Sequence, residues 1–223
     1  MIQVIVDIET EPLSREEIEA VMPEIKAAGN LKDPVKIAAD IEDKKAKFYD
    51  QAALNPLTAK VCAVGVWEVG KASPVLHHSK DEKDLITVFS NLCVGNVSGV
   101  PEIEIITFNG ISFDIPFLCR RALKYGKNLF PWFFGIDGSL SRNAPLIDLA
   151  AIWDCRRKDY VSLNELSIHL GNGTKTKSKE LFWQTLKRDV KEAEAYLTHD
   201  LSLTYENAKS MGLINDPPER TGT

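Results

Sequence analysis

Ile2-Gln3-Val4-Ile5-Val6-Asp7-Ile8-Glu9 begins as a β-branched apolar run and ends in two carboxylates. A run of this kind predicts a buried strand over residues 2–6, with Asp7 at or just past its end. Ligands of α/β sheets collect at the carboxyl ends of strands. Alternate residues of an extended chain share a side, so Asp7 and Glu9 can face one cation together. The triplet alone carries little weight, because roughly one Asp-x-Glu match arises by chance in a chain of this length and average charge. A second triplet, Asp40 and Glu42, lies in the charged face of an expected helix, where a solvated surface pair is the better reading.

Beyond the first strand, helical and extended patterns alternate. Ser14 and Glu17 form a capping box ahead of an apolar stripe of Ile18, Val21, Met22 and Ile25. Asp33-Pro34 sets a cap before a first-turn proline and opens a second helix through Ile37, Ile41 and Phe48. Residues 60–68 and 74–78 predict an antiparallel strand pair that turns near Gly70. A helix over 81–93 leads to a strand over 102–108 and a helix over 116–125. Residues 127–145 are irregular and rich in Phe, Pro and Gly, and 146–148 predict a short last strand before a helix through Trp153. Ser162 starts a helix that Gly171 stops, a basic loop covers 172–179, and a long helix over 189–211 ends at Gly212. This order predicts one α/β domain over residues 1–214, with a helical insert at about 13–57 and a disordered tail over 215–223.

With 44% hydrophobic and 26% charged residues among 223, the chain reads as one soluble globular domain with a full core. A net charge of -5 argues against a protein that coats nucleic acid, although acids gathered in one site would hide a basic surface. Cys62, Cys93, Cys119 and Cys155 have no close pair among them, so they suggest neither a zinc knuckle nor a redox pair and read as reduced, mostly buried thiols. No basic leader precedes the first strand and no segment is long enough to span a membrane, so an intracellular setting is expected.

Two further patterns carry acids. Asn109-Gly110-Ile111-Ser112-Phe113-Asp114 follows the expected strand over 102–108. Asp is a favoured N-cap, but Pro116 pushes Ile115 out of the helical region and makes Ile115 the more natural cap. Asp114 is then expected just outside the helix, free for another task. Tyr196 and Asp200 stand one helical turn apart on a shared face, where a surface hydrogen bond and a functional pair are both open readings.

Taken in this order and with these placements, the three patterns resemble the DEDD superfamily of 3′-to-5′ exonucleases. Tyr196, four residues before the last acid, resembles the tyrosine branch, which includes the proofreading domain of family B DNA polymerases. The histidine branch carries its base five residues before that acid, and here that residue is Ala195. The run from Asn109 through Leu118, with Arg121 and Ala122 after it, is similar to the family's whole second motif. Ile147-Asp148-Leu149 and Ser162-Leu163-Asn164-Glu165-Leu166 are similar to segments that precede the third motif in stand-alone relatives. The 13–57 segment is longer than the simplest members carry.

The resemblance implies an RNase H-like fold, with a mixed five-stranded sheet whose first three strands are antiparallel and the rest parallel, flanked by helices. It implies that Asp7, Glu9, Asp114 and Asp200 bind two Mg²⁺ or Mn²⁺ ions about 4 Å apart, one activating water and one stabilising the leaving 3′-oxygen. Tyr196 would hold that water, and Thr10, Asn109 and Phe113 match positions that contact the terminal nucleotide. The activity implied is release of nucleoside 5′-monophosphates from a single-stranded 3′ end, with DNA favoured over RNA. The setting implied is the cytoplasm of a bacterial or phage-infected cell, with a separate polymerase or repair protein as partner. An exoribonuclease and a non-catalytic nucleic-acid-binding module are the alternatives.

Other residues tempt without the same support. His199 adjoins Asp200, but one residue of helix turns it about 100° away. His77 and His78 close an expected strand and have no partners at metal-ligand spacing, and His169 lies near a helix end, where a structural or dipole role is the better reading. Phe130, Trp132, Phe133 and Phe134 suit local packing better than base stacking. Lys175, Lys177, Lys179, Lys187 and Arg188 form a basic run that is either solvated or set against phosphate.

Overall fold

The computed structural model describes residues 1–94, 103–155, 160–176 and 180–214. Strand β1 (Ile2–Pro12) is followed by helices α1 (Arg15–Val21) and α2 (Pro34–Asp50) and a 3-10 turn at Ala52–Leu54. Then come β2 (Ala59–Glu68), β3 (Val75–His78), α3 (Glu82–Val94), β4 (Ile103–Thr107), α4 (Asp114–Leu123) and α5 (Phe130–Phe133). The chain continues through β5 (Leu146–Asp148), α6 (Leu149–Asp154), α7 (Leu163–Leu170), α8 (Phe182–Arg188) and α9 (Val190–Ser210). Residues 215–223, expected as a disordered tail, and Lys177 and Lys179 of the basic loop lie outside the described residues.

The five strands form one mixed sheet in the order β3-β2-β1-β4-β5. β2 and β3 are antiparallel, β1–β4 and β4–β5 are parallel, and the first three strands make up the antiparallel part of the sheet. This α/β sheet flanked by helices is an RNase H-like architecture. Its middle strand buries Val4, Ile5 and Val6 in succession rather than alternately, as a strand covered on both faces does.

The chain divides into two compact units. The first comprises Met1–Glu9 with Val61–Thr223, and the second is Thr10–Lys60. Within the first, Ile5, Ala63, Ile106, Leu149, Leu166, Leu197 and Leu201 form one apolar cluster. Gly65 lets α9 press onto β2, since a Cβ there would lie 2.6 Å from Leu201 Cδ1. Phe89, Phe117 and Phe133 are fully buried, with the Phe89 and Phe133 rings stacked at 6.1 Å. Glu82 of α3 is buried and takes up Arg121 at 2.6 Å, Tyr125 at 2.9 Å and the Val61 N–H at 2.8 Å, which ties α3, α4 and β2 together.

In the second unit, α1 is capped by the expected Ser14 and Glu17 box. It stops at Val21, because Met22 before Pro23 is held extended at ψ 126, so Met22 and Ile25 fall outside the helix they were expected to stripe. α2 begins at the expected Asp33 cap and has no buried residue.

Three further expectations are corrected. β1 runs to Pro12 instead of ending near Val6, so Asp7 and Glu9 lie within a strand. α4 begins at Asp114, not Pro116. Proline is tolerated in a first turn because its missing N–H would have no intrahelical partner there, and the turn forms around it with Phe117 N–H donating to Phe113 O. Helices α5 and α8 lie in segments with no expected helix, each too short for its periodicity to stand out. Cys62, Cys93 and Cys119 are buried, Cys155 is exposed, and none of the four forms a disulfide. Among the described residues no helix is long and apolar enough to cross a membrane.

Candidate metal centre

The parallel ladder between β1 and β4 runs to Ile5 opposite Ile106, and Asp7 and Glu9 follow immediately on β1. Being alternate residues of one strand, they project to one side. Asp200 reaches the same place from α9, where it joins Ala193, Leu197 and Thr204 in the buried stripe of that helix. One carboxylate oxygen from each of Asp7, Glu9 and Asp200 lies within 4.8 Å of the others. Asp200 is 3% exposed, while Asp7 and Glu9 are half-buried.

This donor set suits a divalent cation. Its oxygens are hard ligands that repel one another unless a positive charge stands among them. Asp200 Oδ1 is also buried without any hydrogen-bond donor. An unsatisfied acceptor of this kind costs about 1–3 kcal/mol, and a cation would relieve it. The acids Asp7, Glu9 and Asp200 could therefore hold a metal ion.

Asp114 enters from α4. It stands first in the helix and does not cap it, for the cap residue is Phe113, which makes no side-chain capping bond. Its Oδ1 instead accepts the N–H of Ile8 at 3.1 Å, the residue between Asp7 and Glu9. The carboxyl is buried beside Asp7, though its oxygens are not part of the tight group of three.

The segment that delivers Asp114 is held by Asp148, the cap of α6. Asp148 accepts the N–H groups of Asn109 and Ile111 at 2.8 Å each, and those of Ala150 and Ala151 at 3.0 and 3.4 Å. Asn109 sits at φ 62, a left-handed conformation that asparagine tolerates better than most residues. Gly110 follows because a Cβ there would meet the Thr107 side chain at 2.4 Å.

Electrostatics register the crowding. Burial, and then the charge of Asp200, push the Asp7 carboxyl up to about 7. Glu9 is raised well above its usual value by burial and by Asp7 and Asp200, and Asp114 by burial and Asp7 against the opposing Ile8 N–H. Asp200 is raised by burial, with Lys175 partly offsetting the rise. Tyr196, half-buried one turn before Asp200, is raised above 10 by burial and by the Asp200 charge.

Lys175 sits in the centre with its Nζ 2.7 Å from Asp200 Oδ2 and 5.2 Å from the centre of the Tyr196 ring. Burial would lower its pKa, but Asp200 and Tyr196 outweigh that and raise it. A cleft of about 610 Å³ opens here, lined by Asp7, Asn109, Phe113, Asp114, Lys175 and Asp200 among others.

The expected substrate contacts divide. Asn109 is exposed at the cleft, and Phe113 lines it with its ring 5.5 Å from that of Phe117. Thr10 belongs to the second unit, where its hydroxyl donates to Ala53 O at 2.7 Å. His199 meets the Thr174 carbonyl oxygen at 2.9 Å through Nε2, and His78 pairs with Glu194 at 3.3 Å. Sequence reasoning gave Asp148 no role in the site. Its place before α6 signals a cap, but nothing local signals the two bonds it makes to the 109–111 segment.

No protein-family model and no curated protein matches the chain. Solved structures do. The chain is similar to the family B DNA polymerase from the hyperthermophilic archaeon Pyrobaculum calidifontis, with TM-score 0.56 and 14% identity. The match covers 95% of this chain but 24% of the polymerase, so the chain spans about a quarter of that protein's length. At this identity the likeness is one of fold.

Proposed function

We propose that the chain is a metal-dependent 3′-to-5′ exonuclease that removes nucleoside 5′-monophosphates from single-stranded DNA. The observation that carries this reading is the convergence of Asp7, Glu9 and Asp200, with a buried, donorless Asp200 oxygen among them. The fold likeness to part of a DNA polymerase supports a nucleic-acid substrate, and the resemblance of the motifs to proofreading domains favours DNA.

In this reading Asp7, Glu9, Asp114 and Asp200 would hold two Mg²⁺ or Mn²⁺ ions. When bound, such ions supply an activated water and neutralise charge on the departing oxygen. Asp114 also steadies β1 through the Ile8 N–H, which keeps Asp7 and Glu9 on one side. Tyr196 stays protonated at neutral pH, so it orients water by hydrogen bonding instead of taking its proton. Water adds across the terminal phosphodiester, its oxygen to phosphorus and a proton to the departing 3′-oxygen. Asn109 and Phe113 line the cleft where the last nucleotide would lie.

The test is a single-stranded oligonucleotide labelled at its 3′ end, incubated with protein and Mn²⁺. Release of labelled mononucleotide is expected from wild type and not from Asp200→Asn. No release from either DNA or RNA strands would end the enzyme reading, leaving a binding module to be sought by gel shift. Faster release from RNA would move the substrate to that polymer.

A further inference from the structure

The acid cluster already contains a cation of the chain's own. Lys175 places its ammonium 2.7 Å from Asp200 Oδ2, and its charge also acts on Asp7 and Glu9. Its position is built rather than incidental. The Lys175 N–H donates to Asn164 Oδ1 on α7 at 2.9 Å, and the carbonyl of the preceding Thr174 meets His199 Nε2 on α9 at 2.9 Å. Two helices thus hold the peptide group that leads into the residue, one at its N–H and one at its carbonyl, and the Tyr196 ring lies beneath the ammonium at 5.2 Å. An ammonium is a compact point charge on a flexible stem, able to occupy a carboxylate and to leave it again.

We propose that Lys175 is an internal counter-ion of the metal centre, which occupies Asp200 in the metal-free protein and must yield its Oδ2 oxygen as divalent ions bind. This rests on the reading of the cluster as a metal centre. Lys175 then serves two ends. It limits the repulsion among Asp7, Glu9 and Asp200 while no metal is bound, and it weakens metal binding because the incoming ion must displace or sit beside a positive charge. Asn164 and His199 are positioning residues in this scheme, since they act only through the backbone around Lys175.

The readout is metal affinity, measured by titrating Mn²⁺ into metal-free protein at fixed pH and ionic strength. Free Mn²⁺ is followed by its paramagnetic resonance signal or binding by calorimetry. Lys175→Met is expected to bind Mn²⁺ at least about tenfold more tightly, given the strength of like-charge repulsion at such distances. Lys175→Arg, which keeps the charge, should stay within about threefold of wild type by the same reasoning. Asn164→Ala should fall between the two. Lys175→Gln provides the same comparison if circular dichroism shows the Met variant unfolded.

Equal or weaker Mn²⁺ binding by both neutral variants overturns the proposal while leaving the metal centre in place. Absence of Mn²⁺ binding from wild type, Lys175→Met and Lys175→Gln alike overturns the metal-centre reading and this proposal with it.

Discussion

Asp7-Ile8-Glu9 and Asp40-Ile41-Glu42 are the same kind of triplet in two different settings, and their surroundings are opposite. On α2, Asp40 accepts from Lys44 at 2.8 Å and from the Ala28 N–H at 2.9 Å, while Glu42 pairs with Lys45 at 2.8 Å. Lys44 then holds the Asp40 carboxyl below its usual range. On β1, Asp7 and Glu9 face Asp200, and their carboxyls are raised. Residues two apart share a side on a strand but point apart on a helix. A helical triplet therefore spreads its charges to separate lysines, whereas a strand triplet concentrates them on one point.

The sharpest way to break this comparison is to neutralise each triplet in turn. Asp7→Asn should cut mononucleotide release by at least about a hundredfold, the scale seen when a group aimed at the reacting centre is removed. Asp40→Asn should leave the rate within about twofold, because exposed ion pairs contribute little. Equal losses in the two variants would show that the strand triplet is not special.

The next effect concerns the residue that holds Asp114's loop. Asp148→Ala leaves four backbone N–H groups without their acceptor, those of Asn109, Ile111, Ala150 and Ala151. A loss of about 2–4 kcal/mol is expected in denaturant unfolding, since each buried orphan costs on the order of 1 kcal/mol or more. An unchanged midpoint would mean that other acceptors or water take over these groups.

The smallest effect is a pH dependence of opposite sign in the two triplets. Asp7 holds its proton to about pH 7 when folded, against a usual value of 3.8. Between those values the folded state binds more protons than the unfolded, so this contribution to stability falls as pH rises. Asp40, with its carboxyl lowered, contributes stability above its usual range that is lost as pH falls. Metal-free protein should lose a few °C of Tm from the Asp7 contribution between about pH 5 and pH 8. Asp7→Asn should flatten that slope and Asp40→Asn should not. Parallel slopes in wild type and Asp7→Asn would remove the crowded carboxyl as the cause.

Much of the fold was legible because its elements carry strong local signals. The β-branched run at 2–6, the Ser14 capping box, the Asp33-Pro34 helix start and the helix bounds at Ser162 and Gly171 each act within one turn or strand. The α/β class followed from their order, and the resemblance of the motifs implied the five-stranded mixed sheet. What local signals missed has equally physical causes. β1 continues past Val6 because pairing, not side-chain polarity, decides where a strand ends. α4 begins before Pro116 because a first turn does not need the proline's N–H.

The candidate site divides along the same line. Asp7, Glu9, Asp114, Tyr196 and Asp200 could be singled out from short patterns, since spacing along a strand or helix sets which side chains share a side. Neither the 4.8 Å grouping of Asp7, Glu9 and Asp200, nor the Asp114 bond to Ile8, nor Lys175 beside Asp200 has any local signature. Each joins elements far apart in the chain. By itself the sequence determined which residues could carry the chemistry and on which kind of element each would stand. Only the tertiary structure decided which charges meet, because electrostatic crowding depends on distance through space and on exclusion of water, and neither is written in the order of the residues.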